Sequence, residues 1–195
     1  NGIINSSFDY TEYICSNDPQ SGSVVFNLGG GVPPYEFNLV DEFGTLIVSE
    51  NGIFNGLSEG CYDVTIYDFN SNSNSPSDCV TNVNFCIEET SPSVSVEEFT
   101  PSGCGVDGNS IFNLSGLFPY NVYAYVDDVL TNQQLGIDDS VINFNNLPSG
   151  FVEVFLEDSI GCISSTSFNL QNVQNDIEII DLGISNPLCP NGTGS

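Results

Sequence analysis

No lysine, arginine or histidine occurs in this 195-residue sequence, whereas Asp and Glu together number 26. The formal charge at neutral pH is therefore −26, and no salt bridge between side chains can form. Because such a chain cannot neutralise phosphates, electrostatics oppose its binding to nucleic acid or to an anionic membrane. The carboxylates need either full hydration or divalent cations such as Ca²⁺, which prefers oxygen ligands.

Long apolar runs and helical patterns are also missing. No run approaches the roughly 18–20 residues that cross a membrane, so direct membrane insertion is not expected. No basic and apolar signal peptide opens the chain, which predicts an internal piece of a longer protein. Apolar residues nevertheless make up 39% of the chain, with 14 Phe and 8 Tyr. These residues supply core material that disordered, charge-rich segments lack.

A repeat organises the chain. The segment Gly56–Asp68 recurs as Asn146–Asp158, with apolar and acidic residues in the same alternation. Upstream, the run Val25–Leu28 returns as Ile111–Leu114 at nearly the same offset. A fixed period of this size indicates tandem copies of one structural unit. We expect two complete units, over 1–89 and 90–173, and the first strand of a third over 174–195.

Each unit has the pattern of a β-sandwich. Alternating runs bounded by Gly, Pro, Asn, Asp and Ser mark strands. In the first unit they lie near Ile3–Tyr10, Ser23–Leu28, Tyr35–Val40, Thr45–Val48, Tyr62–Tyr67 and Val80–Ile87. About seven short strands with frequent turn signals predict an all-β fold of tandem immunoglobulin-like or fibronectin-like sandwiches. The polar segments Glu89–Ser93 and Gln171–Asn175 are the predicted joints.

Three segments resemble a known family. They are GGGVPPYEFNL (29–39), GLSEGCYDVTIYD (56–68) and NLPSGFVEVFLEDSIGC (146–162). Their order is similar to that of the SprB-type repeats of giant Bacteroidetes cell-surface adhesins. The second unit departs by lacking the glycine pair before Pro119-Tyr120, and the first by having Asp78-Cys79 in place of Gly-Cys. The resemblance implies type 9 secretion to the cell surface and a part in adhesion or gliding motility.

Seven cysteines in a chain without His predict disulfides in an oxidising compartment rather than a metal site. Repeat equivalence favours pairing within each unit, Cys15 with Cys79 and Cys104 with Cys162. In a simple sandwich, however, the loops after the first strand and before the last lie at opposite ends. That geometry leaves open a bridge from Cys15 to Cys162 of the next unit, which would link the repeats covalently.

Cys61 and Cys86 have no counterpart in the second unit. They fall on neighbouring antiparallel strands, nearly symmetric about the connecting turn, which predicts a third bridge. Cys189 is left without a partner, as expected if a third unit begins there. A catalytic thiol is not expected, because no His, Lys or Arg is present to activate one.

The acidic pairs Asp127-Asp128 and Asp138-Asp139 are weak candidates for Ca²⁺ binding. Solvated surface is the simpler interpretation of these pairs, because adjacent residues of a strand point to opposite faces. The same argument disfavours paired-carboxylate catalysis, and we expect no enzyme activity and no cofactor other than Ca²⁺.

Three positions are candidates for glycosylation. Asn113 lies in an Asn-Leu-Ser acceptor pattern. Ser140 and Ser159 each follow Asp and precede an apolar residue, which resembles the O-glycosylation signal of secreted Bacteroidetes proteins. Solvent-facing Tyr123 and Tyr125 are expected to pack across strands, with sugar stacking as the alternative.

Together these features predict an extracellular stalk or adhesive segment without turnover chemistry. Its expected partners are neighbouring repeats of the same chain, other cell-surface or secretion-machinery proteins, and polysaccharide. A structural subunit of an extracellular filament or surface layer is the first alternative, and a carbohydrate-binding accessory module is the second.

Overall fold

The computed structural model describes residues 5–68, 80–103 and 106–173. The named elements in these ranges are fifteen β-strands, as the all-β prediction requires. No helix in the described ranges is long and apolar enough to cross a membrane. The strands form two sandwiches that follow one another along the chain.

The first sandwich contains eight strands. They are β1 (Asn5–Tyr10), β2 (Tyr13–Cys15), β3 (Gly22–Gly29), β4 (Tyr35–Asp41), β5 (Leu46–Ser49), β6 (Ile53–Leu57), β7 (Gly60–Asp68) and β8 (Val80–Thr90). One sheet has the order β1-β3-β6 and the other β2-β8-β7-β4-β5. All neighbours are antiparallel except β2 and β8, which run parallel.

The second sandwich contains seven strands. They are β9 (Ser93–Thr100), β10 (Gly108–Ser115), β11 (Tyr120–Val126), β12 (Val129–Ile137), β13 (Val141–Leu147), β14 (Gly150–Glu157) and β15 (Ile163–Leu170). Its sheets have the orders β13-β10-β9 and β12-β11-β14-β15. Ser102 and Asn172 form a parallel bridge, which corresponds to the pairing of β2 with β8 in the first sandwich.

The core of each sandwich follows the period-2 alternation of its strands. In β7 the side chains of Tyr62, Val64 and Ile66 are buried between the sheets, as the alternation predicts. In β11 the buried residues are Tyr120, Val122, Ala124 and Val126. Burying a large aliphatic or aromatic side chain contributes about 1.5–3 kcal/mol, so these alternating strands supply most of the driving force for folding.

The turn before β7 is fastened by Tyr62. Its hydroxyl donates to the carbonyl oxygen of Ser58 at 2.9 Å, four residues upstream. This arrangement is the tyrosine corner typical of immunoglobulin-like sandwiches. The second sandwich has Val152 at the equivalent position and so lacks this bond.

Two strands were not predicted. β6 was not predicted as a strand because only Ile53, Phe54 and Leu57 in it are apolar. Gly56, with φ of +73°, also interrupts the alternation. β2 is three residues long and begins only two residues after β1 ends, so the sequence pattern does not separate it from β1. The joint is also shorter than predicted: β8 continues to Thr90 and β9 begins at Ser93, leaving only Ser91 and Pro92 between them.

Candidate functional site at the junction of the two sandwiches

Cys15 reaches the junction because the chain changes sheets after β1. The short strand β2 leaves the β1-β3-β6 sheet and runs parallel to the end of β8, with Cys15 opposite Thr90. The N–H of Ser16 donates to the carbonyl oxygen of Thr90 at 3.0 Å. Ile14 is buried in the core and anchors the strand from the other face. Cys15 is therefore held beside the last residue of the first sandwich.

Cys162 lies in the tight turn between β14 and β15. The carboxylate of Asp158 accepts the N–H of Ile160 at 3.2 Å and that of Cys162 at 2.9 Å. The N–H of Asp158 donates in return to the carbonyl oxygen of Cys162 at 3.0 Å. A further bond from the N–H of Ser159 to the carbonyl oxygen of Leu117 fastens this turn to the β10–β11 connection. The Cys162 side chain is 1% exposed.

A disulfide joins Cys15 to Cys162, with the two Cα atoms 5.3 Å apart and the two residues 147 positions apart in sequence. The bond therefore links the two sandwiches covalently. Beside it the joint is tight, because a Cβ built on Gly116 would approach the Pro92 side chain to 2.9 Å. Gly116 has φ of +134°, so both conformation and space favour glycine there.

The favoured pairing within each unit is wrong, and the alternative between units is correct for Cys15 and Cys162. The reason is the length of β8. Its eleven residues, at about 3.3 Å each, separate its two ends by more than 30 Å. Cys79 precedes Val80 at one end, whereas Cys15 is paired with Thr90 at the other. Cys79, Cys104 and Cys189 lie outside the described residues.

The bridge between Cys61 and Cys86 is confirmed. The two residues are directly opposite each other on β7 and β8, and both face solvent. This disulfide closes 25 residues within the first sandwich. Two disulfides indicate an extracellular protein, because cytosolic reductants keep thiols reduced.

The four acidic candidates for Ca²⁺ fall in two separate turns. Asp127 and Asp128 are the two positive-φ residues of the hairpin turn between β11 and β12, and Asp138 and Asp139 lie between β12 and β13. The carboxylate of Asp127 accepts the N–H of Phe151 at 2.9 Å, which gives it a structural role. Among the described residues no group of three or more His, Cys, Asp or Glu is placed to hold a metal. Calcium binding stays a prediction.

The glycosylation candidates are all at the surface. Asn113 projects from β10, Ser140 precedes β13, and Ser159 follows β14; each is exposed. Ser140 accepts the N–H of Leu114 at 2.7 Å through its backbone carbonyl, so this bond does not involve the hydroxyl that would carry a glycan. Modification at these three positions stays a prediction.

No protein-family model and no curated protein matches the sequence. Among solved structures, a fragment of three titin immunoglobulin domains, in a Glu-to-Ala variant, matches with a TM-score of 0.50 and 12% identity. The match covers 89% of this chain and 67% of that one. The fold is immunoglobulin-like. The predicted class, tandem immunoglobulin-like or fibronectin-like β-sandwiches, is therefore confirmed, and at this identity the likeness shows the fold alone.

Two further solved structures match this immunoglobulin-like chain with lower TM-scores. The three N-terminal domains of the bacteriophage RB49 highly immunogenic outer capsid protein match with a TM-score of 0.48 and 11% identity, over 88% of this chain and 59% of that one. Fibronectin(III)-like modules of Clostridium thermocellum CbhA match with a TM-score of 0.40 and 14% identity, over 89% and 97%.

Proposed function

We propose that this chain is a load-bearing segment of a long secreted cell-surface adhesin, serving as stalk and adhesive surface in attachment or gliding motility. The resemblance of its repeats to those of giant surface adhesins supports the biological role. The disulfide between Cys15 and Cys162 is the observation that carries the mechanical role. Its partners would be neighbouring repeats, other cell-surface or secretion-machinery proteins, and polysaccharide, and its action would involve no turnover chemistry.

The disulfide changes the path that tension takes through the chain. A pull on the two ends reaches Cys15 from one side and Cys162 from the other, and the covalent bond connects these points directly. Force therefore cannot extend the chain between these two cysteines. With a separation of 147 residues, that segment would be about 500 Å long if fully extended at 3.3–3.6 Å per residue. A stalk built this way transmits load through the bridge, so that only the segments outside the loop, which include β1 and β15, can be extended.

Single-molecule stretching from the two termini tests this mechanical role. The oxidised protein is expected to show no unfolding step that releases the enclosed length. The double variant Cys15→Ser/Cys162→Ser should release it in separate steps for the two sandwiches. The matched control is Cys61→Ser/Cys86→Ser, which removes a disulfide inside the loop and should leave the oxidised extension unchanged. Full lengthening of the oxidised wild type would overturn the load-bearing role.

The adhesive role needs a separate experiment on cells. Antibodies against the 195-residue chain should label intact, unpermeabilised cells of the source organism and reduce their attachment to a surface. Labelling only after permeabilisation would contradict the surface location. Surface labelling with unchanged attachment and motility would contradict the adhesive role. It would leave the stalk role standing.

A filament subunit is the second candidate, favoured by the edge strand β5. Among the described residues this strand pairs with β4 alone, and Leu46, Ile47 and Val48 along it are 56%, 42% and 53% exposed. Edge strands are commonly protected by lysine, and none is present here. Sedimentation over a range of concentrations tests lateral association. Assembly that is abolished by Ile47→Lys would favour the filament, whereas a monomer at all concentrations would count against it.

A further inference from the structure

The outer face of the second sandwich carries an aromatic groove. It has a volume of about 390 Å³ and is lined by Tyr123, Tyr125, Asp128, Glu153 and Phe155. Tyr123 lies directly opposite Phe155, and Tyr125 directly opposite Glu153, on the paired strands β11 and β14. Opposed side chains on one face are about 4.5–5.5 Å apart at Cβ, so these four residues form a compact patch. Asp128, in the adjoining turn, adds a carboxylate at the edge.

The rings in the groove keep part of their surface in solvent. Tyr125 and Phe155 contact each other edge to face, with ring centroids 5.7 Å apart and planes at 88°. The side chains of Tyr123, Tyr125 and Phe155 are each half-buried rather than enclosed. Cross-strand packing of Tyr125 against Phe155 is therefore present, as predicted, and it leaves π faces available to a ligand.

The chemistry of the lining selects for positive charge. Aromatic faces carry negative potential and attract cations, and the two carboxylates act in the same direction. The whole chain carries a formal charge of −26 and offers no cationic side chain as a competing partner. An anionic ligand is repelled by this field, and a neutral sugar gains nothing from it. An ammonium or guanidinium group gains from both the rings and the carboxylates.

The first sandwich lacks the three rings at the equivalent positions. By strand register, Asn38 and Thr65 form the pair that corresponds to Tyr123 and Phe155. Val40 occupies the position of Tyr125. The acidic member of the patch is kept, since Asp63 corresponds to Glu153. The two sandwiches thus share the sheet and the carboxylate but differ in the three rings.

We propose that the groove formed by Tyr123, Tyr125, Asp128, Glu153 and Phe155 binds a lysine or arginine side chain of a partner protein. A second copy of this segment cannot supply that side chain, because the segment contains neither residue. The groove would therefore act as an adhesive contact that selects basic protein surfaces.

The natural difference between the sandwiches provides a charge-neutral variant. The triple substitution Tyr123→Asn, Tyr125→Val and Phe155→Thr installs the first sandwich's residues and leaves the net charge unchanged. The probes are tetralysine and tetraarginine amides, acetylated at the N-terminus only and titrated by calorimetry into the full 195-residue protein. Unchanged thermal unfolding is the check that the variant folds. Losing the rings should weaken binding about tenfold, because each exposed cation–π contact contributes about 0.5–1 kcal/mol.

Two further variants separate the groove from the general negative field. Glu153→Gln and Asp63→Asn each remove one carboxylate, at equivalent positions of the two sandwiches. Asp63→Asn should lower peptide affinity only by the effect of one lost surface charge, and Glu153→Gln should lower it further. The converse triple substitution, Asn38→Tyr, Val40→Tyr and Thr65→Phe, should create a second site and raise the number of peptides bound from one to two.

Three results would overturn the proposal. The first is equal affinity of the wild type and the ring-deleted triple variant, which would show that only the overall field attracts the peptide. The second is an equal effect of Glu153→Gln and Asp63→Asn. The third is a groove that binds neutral glucan oligosaccharides and not the basic peptides, which would assign it to carbohydrate instead.

Discussion

The carboxylate of Asp158 accepts the backbone N–H of Cys162 at 2.9 Å and so fixes the cysteine that joins the two sandwiches. The same carboxylate oxygen also accepts the N–H of Ile160, which closes the turn. Asp158 is 3% exposed, so these bonds are formed away from bulk water. The position of the inter-sandwich disulfide therefore depends on one buried acidic residue.

Replacing Asp158 tests this dependence. Asp158→Ala leaves the buried N–H of Cys162 and the half-buried N–H of Ile160 without an acceptor, and we expect a loss of about 1–3 kcal/mol in the free energy of unfolding. Asp158→Asn keeps a side-chain carbonyl oxygen and should cost less than half as much. Urea unfolding of the oxidised protein measures both. An equal loss in the two variants would mean that the charge, and not the acceptor, is what the turn requires.

Peptide mapping under non-reducing conditions tests the pairing of Cys15. Trypsin has no site in this chain, whereas cleavage after Glu releases fragments 13–36 and 158–178, with one cysteine each. The structure predicts that these two fragments are linked. Linkage of fragment 13–36 to fragment 60–88 would instead restore the pairing within the unit.

The two disulfides are expected to stabilise different parts of the protein. By loop-closure entropy, the bridge with 25-residue separation contributes about 3.5 kcal/mol and the bridge with 147-residue separation about 5 kcal/mol. Hydrogen exchange followed by mass spectrometry can resolve the two sandwiches. Cys61→Ser/Cys86→Ser should raise exchange in the first sandwich alone, and Cys15→Ser/Cys162→Ser in both. Unchanged protection of the second sandwich in the latter variant would contradict its stabilisation by the bridge.

Alkaline pH should destabilise both sandwiches through buried tyrosines. Burial raises the pKa of Tyr62 and of Tyr120 above the ordinary value of 10.0. The folded state then favours the neutral phenol, so this stability is fully present below pH 10 and is lost as the pH rises through the raised pKa. Absorbance titration should show these tyrosines ionising later than exposed ones. The carboxylates of Glu12 and Glu88 also raise the pKa of Tyr13. Tyr62→Phe should therefore remove one of two late-ionising groups of the first sandwich, and an unchanged titration curve would contradict the assignment.

Local patterns were sufficient to predict the sandwich fold. The alternation of Tyr62, Val64 and Ile66 identified both a strand and its buried face, because burial between two sheets imposes a period of two. Cys61 and Cys86 could be paired for the same reason, since hairpin partners are set by counting back from one turn.

Long-range geometry was less accessible to sequence reasoning. The partner of Cys15 depends on β2 changing sheets, a three-residue event with no composition of its own. The aromatic groove was recognised in part: Tyr123 and Tyr125 were named, but Phe155 was not. Phe155 became visible only once the register placed it opposite Tyr123.

The inter-sandwich disulfide also imposes an order on biosynthesis. Cys15 is made early, yet its partner follows 147 residues later, so the bond can close only after nearly all of the second sandwich has been synthesised. Cys61 and Cys86 are separated by 25 residues and can pair sooner, which withdraws two competing thiols before Cys162 arrives. A closed Cys15–Cys162 bond thus reports that the turn before β15 has reached the end of the first sandwich.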